Sequence, residues 1–177
     1  MLNQGLSKHT PLSFGMANVA VGLTVLLVAW ALGGTPGLGT VANAVLVGTF
    51  IQGLLASSTV SGLAHDPLVW RIALLVAGIA LIGPASALYI CADLGAGPRD
   101  TLMLVGARRS GRRVGLVRAA LELCALAAGI LLGGAFGIGT VAFALLVGPV
   151  VEGSFWLLRH SPLAAEVPGA PAVIVGE

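Results

Sequence analysis

The stretch Leu132–Gly148, LGGAFGIGTVAFALLVG, repeats Leu32–Gly48, LGGTPGLGTVANAVLVG, one hundred positions earlier and without a gap. From Leu32 to Gly53, 13 of the 22 positions match their partners, far more than apolar composition gives by chance, so an internal repeat governs the fold. Each copy is a pair of apolar segments joined by Gly-Gly, two further residues and Gly-x-Gly-Thr. The second copy is preceded by another apolar segment, Val69–Ala92, and by the element GAGPRD, Gly95–Asp100.

Composition sets the class. The chain has 177 residues, 57% hydrophobic and only 9% charged, with a mean hydropathy of +1.02. Soluble domains carry about 25% charged residues, so this chain is not a soluble domain. A formal charge of +2 argues against a nucleic-acid partner. Crossing a hydrocarbon core of about 30 Å takes about 20 apolar residues. Five segments meet that need: Gly15–Leu32, Gly37–Ala56, Val69–Ala92, Val114–Leu132 and Gly137–Leu158. The expected fold is an all-α membrane protein, a bundle of about five transmembrane helices built from the repeat, with the lipid bilayer as its first partner. The expected organisation is a first, truncated repeat over 1–63, a second repeat over 64–160, and a flexible tail over 161–177, rich in Pro, Ala and Gly.

Between the third and fourth segments, Asp93–Arg113 reads DLGAGPRDTLMLVGARRSGRR, too short and too polar to cross again. Pro98 biases Gly97 towards extended backbone, and Asp100 is placed to cap a short helix from Thr101 to Ala107. A broken helix re-entering the bundle and an amphipathic helix at the interface both fit this pattern.

Basic residues give the orientation. Arg108, Arg109, Arg112, Arg113 and Arg118 cluster beside one membrane face and Arg159 follows the last span, leaving Lys8 and Arg71 for the other. The positive-inside bias places the Arg113 loop and the C-terminus in the cytoplasm. The two copies then lie with opposite orientations, because a unit of three spans inverts when it is repeated. Inverted repeats build many secondary transporters, with sites at the repeat interface near the midplane.

GAGPRDTLMLVGARRSG (95–111), followed by a span and then GIGTVAFALLVGPVVE (137–152), resembles the YczE/YitT-like family of bacterial integral membrane proteins. The shared features are a GxGPxD element, a short Gly-containing helix and GxGT opening the next span; they cover about Gly5 to Leu158. Arg99 stands where that family often has Trp. The resemblance implies a multi-pass protein of the bacterial inner (plasma) membrane. The family is largely without an assigned activity, so no activity is carried over.

Polar residues inside spans are costly in hydrocarbon and face a bundle interior, which makes them the candidate site residues. Glu152 occupies the repeat position of Gln52, at one equivalent depth; the pair either lines a central site or hydrogen-bonds across the repeat interface. Asn43 has Phe143 as its counterpart, and Asn18 has Arg118. Arg118 and Glu122, four apart, share a helix face and can pair. Arg99 and Asp100 open the short helix, where an N-terminus facing a cavity receives an anionic group. The candidate substrate-binding set is therefore Arg99, Asp100, Glu152, Gln52 and Asn43.

Enzymatic motifs are absent: there is no HExxH or Cys-x-x-Cys, and Asp66, Asp93 and Asp100 read as interfacial. No metal or cofactor is expected. Cys91 and Cys124 lie in apolar runs and read as buried packing residues rather than a disulfide. Two functions remain: a small-molecule transporter or exporter with its site at the repeat interface, and a non-transporting partner or scaffold for another membrane complex. A polar cavity from Asp100 to Glu152 favours the first and a glycine-zipped bundle the second; oligomeric state is left open. The first copy also lacks a counterpart of Val69–Ala92 and GAGPRD. A native start about 30 to 40 residues upstream, one span plus a connector, is the expectation, to be checked by mass spectrometry of the native N-terminus.

Overall fold

The computed structural model describes residues 2–11, 13–57, 60, 62–63, 67–134 and 137–161, without the side chains of Gln4 and Lys8. The predicted flexible tail beyond Ser161 lies outside the described residues, as do Ala135, Phe136, His65 and Asp66. The helices are α1 Leu2–His9, α2 Phe14–Ala31, α3 Leu38–Ala56, α4 Leu68–Cys91, α5 Pro98–Ser110, α6 Val114–Leu131 and α7 Ile138–Arg159. No strand occurs among the described residues.

Helices α2, α3, α4, α6 and α7 are long and apolar enough to cross a membrane. Even the 18 residues of α2 extend about 27 Å at 1.5 Å per residue, close to the hydrocarbon thickness. Their outer faces carry large apolar side chains in the open, including Leu27, Trp30, Phe50, Trp70, Leu81 and Trp156. Small residues such as Gly15, Ala17, Ala29, Ala44, Gly115 and Ala144 are buried between helices. Lipid is as apolar as leucine, so helices associate through close packing of small residues rather than by burying large ones. The chain is an all-α membrane protein.

The repeated sequence produces repeated local structure. Helices α2 and α6 end at Ala31 and Leu131, and each closes with the same C-terminal motif. Gly33 N–H donates to Trp30 O and Gly34 N–H to Ala29 O, both at 2.8 Å; Gly133 and Gly134 make the matching bonds to Ile130 and Gly129 at 2.9 and 2.8 Å. The motif needs a left-handed residue after the cap, which Gly33 (φ 89°) and Gly133 (φ 68°) supply without a Cβ penalty. The next helices start alike, Thr40 N–H donating to Gly37 O and Thr140 N–H to Gly137 O.

Helices α2 and α3 pair, as do α6 and α7, and α4 packs along α7. Ala87, Cys91, Met103, Val147, Val151 and Phe155 form the core between α4, α5 and α7. Helix α5 lies against α2 and α6, and α1 lies against the same two helices.

Helix α5 runs inside the bundle. Pro98 abuts Gly22 in the middle of α2, while Thr101 and Val105 pack on Gly34 beyond its end. Pro98, Asp100, Thr101, Met103 and Val105 are buried. This is the broken-helix alternative rather than a helix lying flat on a surface.

Two expectations change here. Asp100 is not the cap: α5 starts at Pro98, with Gly97 as N-cap, and Asp100 falls in the first turn. Proline suits the first helical position because its fixed φ is helical and its missing N–H would be unpaired there anyway. Asp100 is also buried within the protein, only 8% exposed. Of the cysteines, Cys91 is buried but Cys124 is exposed, on an outer face of α6.

Candidate functional site

The charged residues of α5 and α6 meet between the helices. Arg118 Nη1 donates to Asp100 Oδ1, joining α6 to α5. Arg118 Nη2 lies 3.3 Å from Glu122 Oε1, one helical turn along α6. Arg99 Nη1, from α5, lies 3.8 Å from that same oxygen. The order along the cluster is therefore Asp100, Arg118, Glu122, Arg99, with two cations and two carboxylates. Such balance is required where charges leave water, because an unpaired buried ion costs several kcal/mol.

Arg118 is buried where α6 packs against α5. Gly115, one turn before it, lets α7 approach so closely that a β-carbon there would lie 2.9 Å from Gly148 O. The guanidinium is enclosed, and its side chain is 9% exposed. It was counted above among the cytoplasmic arginines; its place is in the bundle, paired with Asp100. Arg108, Arg109, Arg112 and Arg113 are exposed. In α2, Asn18 occupies the position equivalent to Arg118 and accepts a 2.7 Å hydrogen bond from Asn3 Nδ2 on α1. Each short helix is thus tied to the long helix after it through that one repeat position.

Two cavities adjoin the cluster. One, of about 60 Å³, is lined by Val21 and Val25 of α2 together with Leu102 and Arg118. The other, of about 160 Å³, lies towards α1 and α7 and is lined by Asn3, Leu126, Thr140 and Phe143. Leu2, Arg99, Glu122 and Ala125 line both. The Arg99–Glu122 contact therefore stands on the border between them.

Two buried polar atoms lack a hydrogen-bond partner among the described residues, Asn3 Oδ1 and Arg118 Nε. Leaving such a group unsatisfied costs about 1–3 kcal/mol. Both belong to residues that line the cavities.

Of the candidate residues read from the sequence, Arg99 lines both cavities, and Asp100 is placed behind it, bonded to Arg118. Gln52, Glu152 and Asn43 lie elsewhere. Gln52 Oε1 accepts a 2.9 Å hydrogen bond from Gly15 N–H. Glu152, half-buried, sets its carboxylate against Gly115 at the equivalent position of the second copy. Asn43 Oδ1 sits against Gly97, just ahead of α5. These three seat helices against one another rather than line the hollow.

Asn3, Thr140 and Phe143 were not singled out as lining residues. Thr140 carried a signal, as the threonine of a GxGT found in both copies, whereas nothing near Asn3 marked it. Among the described residues, no group of three or more His, Cys, Asp or Glu side chains is placed to hold a metal ion.

The chain is similar to proteins that include a membrane protein. An uncharacterized protein of Haemophilus influenzae is 36% identical over 155 residues, covering 86% of this chain and 68% of that protein. The uncharacterized membrane protein YczE of Bacillus subtilis is 34% identical over 157 residues, covering 83% of this chain and 67% of YczE. No solved structure matches the chain. The model of DUF6198, described as a family of unknown function, matches residues 1–154, and the chain belongs to this YczE-like family of membrane proteins.

Proposed function

We propose that the protein is a small-molecule transporter or exporter of the bacterial plasma membrane, with its site at the Arg99–Glu122 contact. The observation that carries this reading is a balanced charge cluster inside the bundle with a cavity on each side of its weakest contact. Ionisable groups among membrane spans are costly and mark substrate or ion paths. A structural role accounts for the tight Asp100–Arg118 pair. It does not account for Arg99, whose side chain is 42% exposed and whose one ion-pair contact is long.

The two copies, over 1–63 and 64–160, form an inverted repeat in this reading, and the C-terminus is cytoplasmic. A membrane-impermeant maleimide should label Gly137→Cys on intact cells and leave Ser110→Cys unlabelled, both on a background with Cys91 and Cys124 replaced by alanine. The opposite pattern would reverse the orientation, and equal labelling of both would remove the inversion.

For transport, proteoliposomes loaded with a metabolite mixture should show time-dependent flux of at least one component. Arg99→Gln and Glu122→Gln should each lower that flux at least about tenfold, the scale of one lost charged hydrogen bond. The scaffold reading has its own support, since Gln52 and Glu152 both serve helix packing. It expects no flux from wild type or variants, together with co-purification of another membrane protein.

A further inference from the structure

The larger cavity has a composition that narrows its ligand. Its polar lining is Asn3, Arg99, Glu122 and Thr140, and Leu126 and Phe143 supply apolar wall. The charges of the cluster cancel, so a ligand of net charge would leave one member without its partner. Within that balance, specific atoms stay open. Arg99 makes a single 3.8 Å ion-pair contact, leaving most of its donors free. Both contacts to Glu122 fall on Oε1, so its second carboxylate oxygen carries neither. Asn3 Oδ1 is an acceptor without a partner among the described residues, on a residue only 7% exposed. The hollow therefore offers a cation with spare donors, a carboxylate oxygen and an amide oxygen.

We propose that this cavity binds a small zwitterion, an α-amino acid of about alanine's size, with its carboxylate on Arg99 and its ammonium on Glu122 and Asn3. The ammonium has three donors, enough for both oxygens and for the Thr140 hydroxyl. Bidentate guanidinium–carboxylate pairing gives the other end its orientation. Size agrees: an apolar cavity of about 150 Å³ holds benzene, with about six non-hydrogen atoms, the number in alanine. Entry of the zwitterion would replace the long Arg99–Glu122 contact with two shorter ones, removing the boundary between the cavities. This rests on the transport reading for its purpose, but its test is binding.

The full chain, purified in detergent, would be titrated with L-alanine, with acetate and with methylamine while thermal unfolding is followed by tryptophan fluorescence. L-Alanine should raise the unfolding temperature saturably, and acetate and methylamine at equal concentration should not. Arg99→Gln should weaken the alanine response at least tenfold and admit methylamine; Glu122→Gln should weaken it likewise and admit acetate. Arg99→Gln should unfold within a few degrees of wild type without ligand, because Arg99 is half-exposed and loosely paired; Glu122→Gln, whose carboxylate also pairs with the buried Arg118, is read by its ligand response relative to its own unliganded unfolding temperature. Absence of a saturable alanine response, an acetate response equal to it, or variants that respond like wild type would overturn the proposal. Alanine binding without flux removes transport and leaves the site; flux of other solutes without alanine binding does the reverse.

Discussion

Arg118→Leu is expected to destabilise the folded protein by about 3–5 kcal/mol, the cost of removing one partner from a buried ion pair. Asp100 is 8% exposed and Arg118 7%, so the abandoned carboxylate has neither water nor another direct cation. Total stabilities of about 5–15 kcal/mol make this a large share, and a sharply lower unfolding temperature in detergent would report it. The double replacement Asp100→Leu with Arg118→Leu should recover most of the loss, because a buried pair exchanged for apolar groups is often neutral or better. A single variant within about 1 kcal/mol of wild type would mean the pair is not an element of the fold. The expected asymmetry between Arg118 and Arg99 follows from geometry alone: one is enclosed and tightly bonded, the other half-open and loosely held.

Gly95→Ala should cost about 2–5 kcal/mol, combining about 1–2 from left-handed backbone with about 1–3 from overpacking. Gly95 has φ 103°, and a β-carbon there would lie 2.6 Å from Gly37 Cα and 2.8 Å from Gly37 N. Those are backbone atoms at the start of α3, which cannot rotate away. The segment is further pinned by Gly39 N–H, which donates to Leu94 O at 2.8 Å. Gly111→Ala provides the comparison, since Gly111 also has positive φ (63°) but open space where the β-carbon would go. It should show the backbone cost only. If the two variants unfold alike, the close approach of the Leu94–Gly97 segment to α3 contributes nothing.

These two positions bear on function in different ways. Arg118 holds α5 against α6 and thereby sets where Arg99 stands; Gly95 sets where α5 begins. Neither need touch a ligand. In the proposed site Arg99, Glu122 and Asn3 would contact the ligand, while Glu122 also pairs with the buried Arg118 and Asn3 with Asn18.

The sequence by itself determined the membrane class, the five spans to within a residue or two, and the repeat. Each of these is written in local pattern. Apolar runs have the length that hydrocarbon requires, and Leu-Gly-Gly fixes the same helix ending wherever it occurs, so the bonds at Gly33 and Gly133 match. The i, i+4 spacing of Arg118 and Glu122 likewise made their pairing legible. What local pattern could not decide was which face each polar residue presents and what lies opposite. Glu152 and Gln52 share a depth, which left open a central site or a bond across the repeat interface; each is set against the glycine of its own neighbouring helix, at Gly115 and Gly15. Asp100 looked like a helix cap because short acidic residues favour that role, but Pro98 starts the helix earlier and turns the carboxylate towards Arg118, eighteen residues away. Asn3 became a cavity residue only because α1 packs onto α6. Those outcomes depend on contacts between distant segments, and a contact between segments is a property of packing that no stretch of this sequence contains on its own.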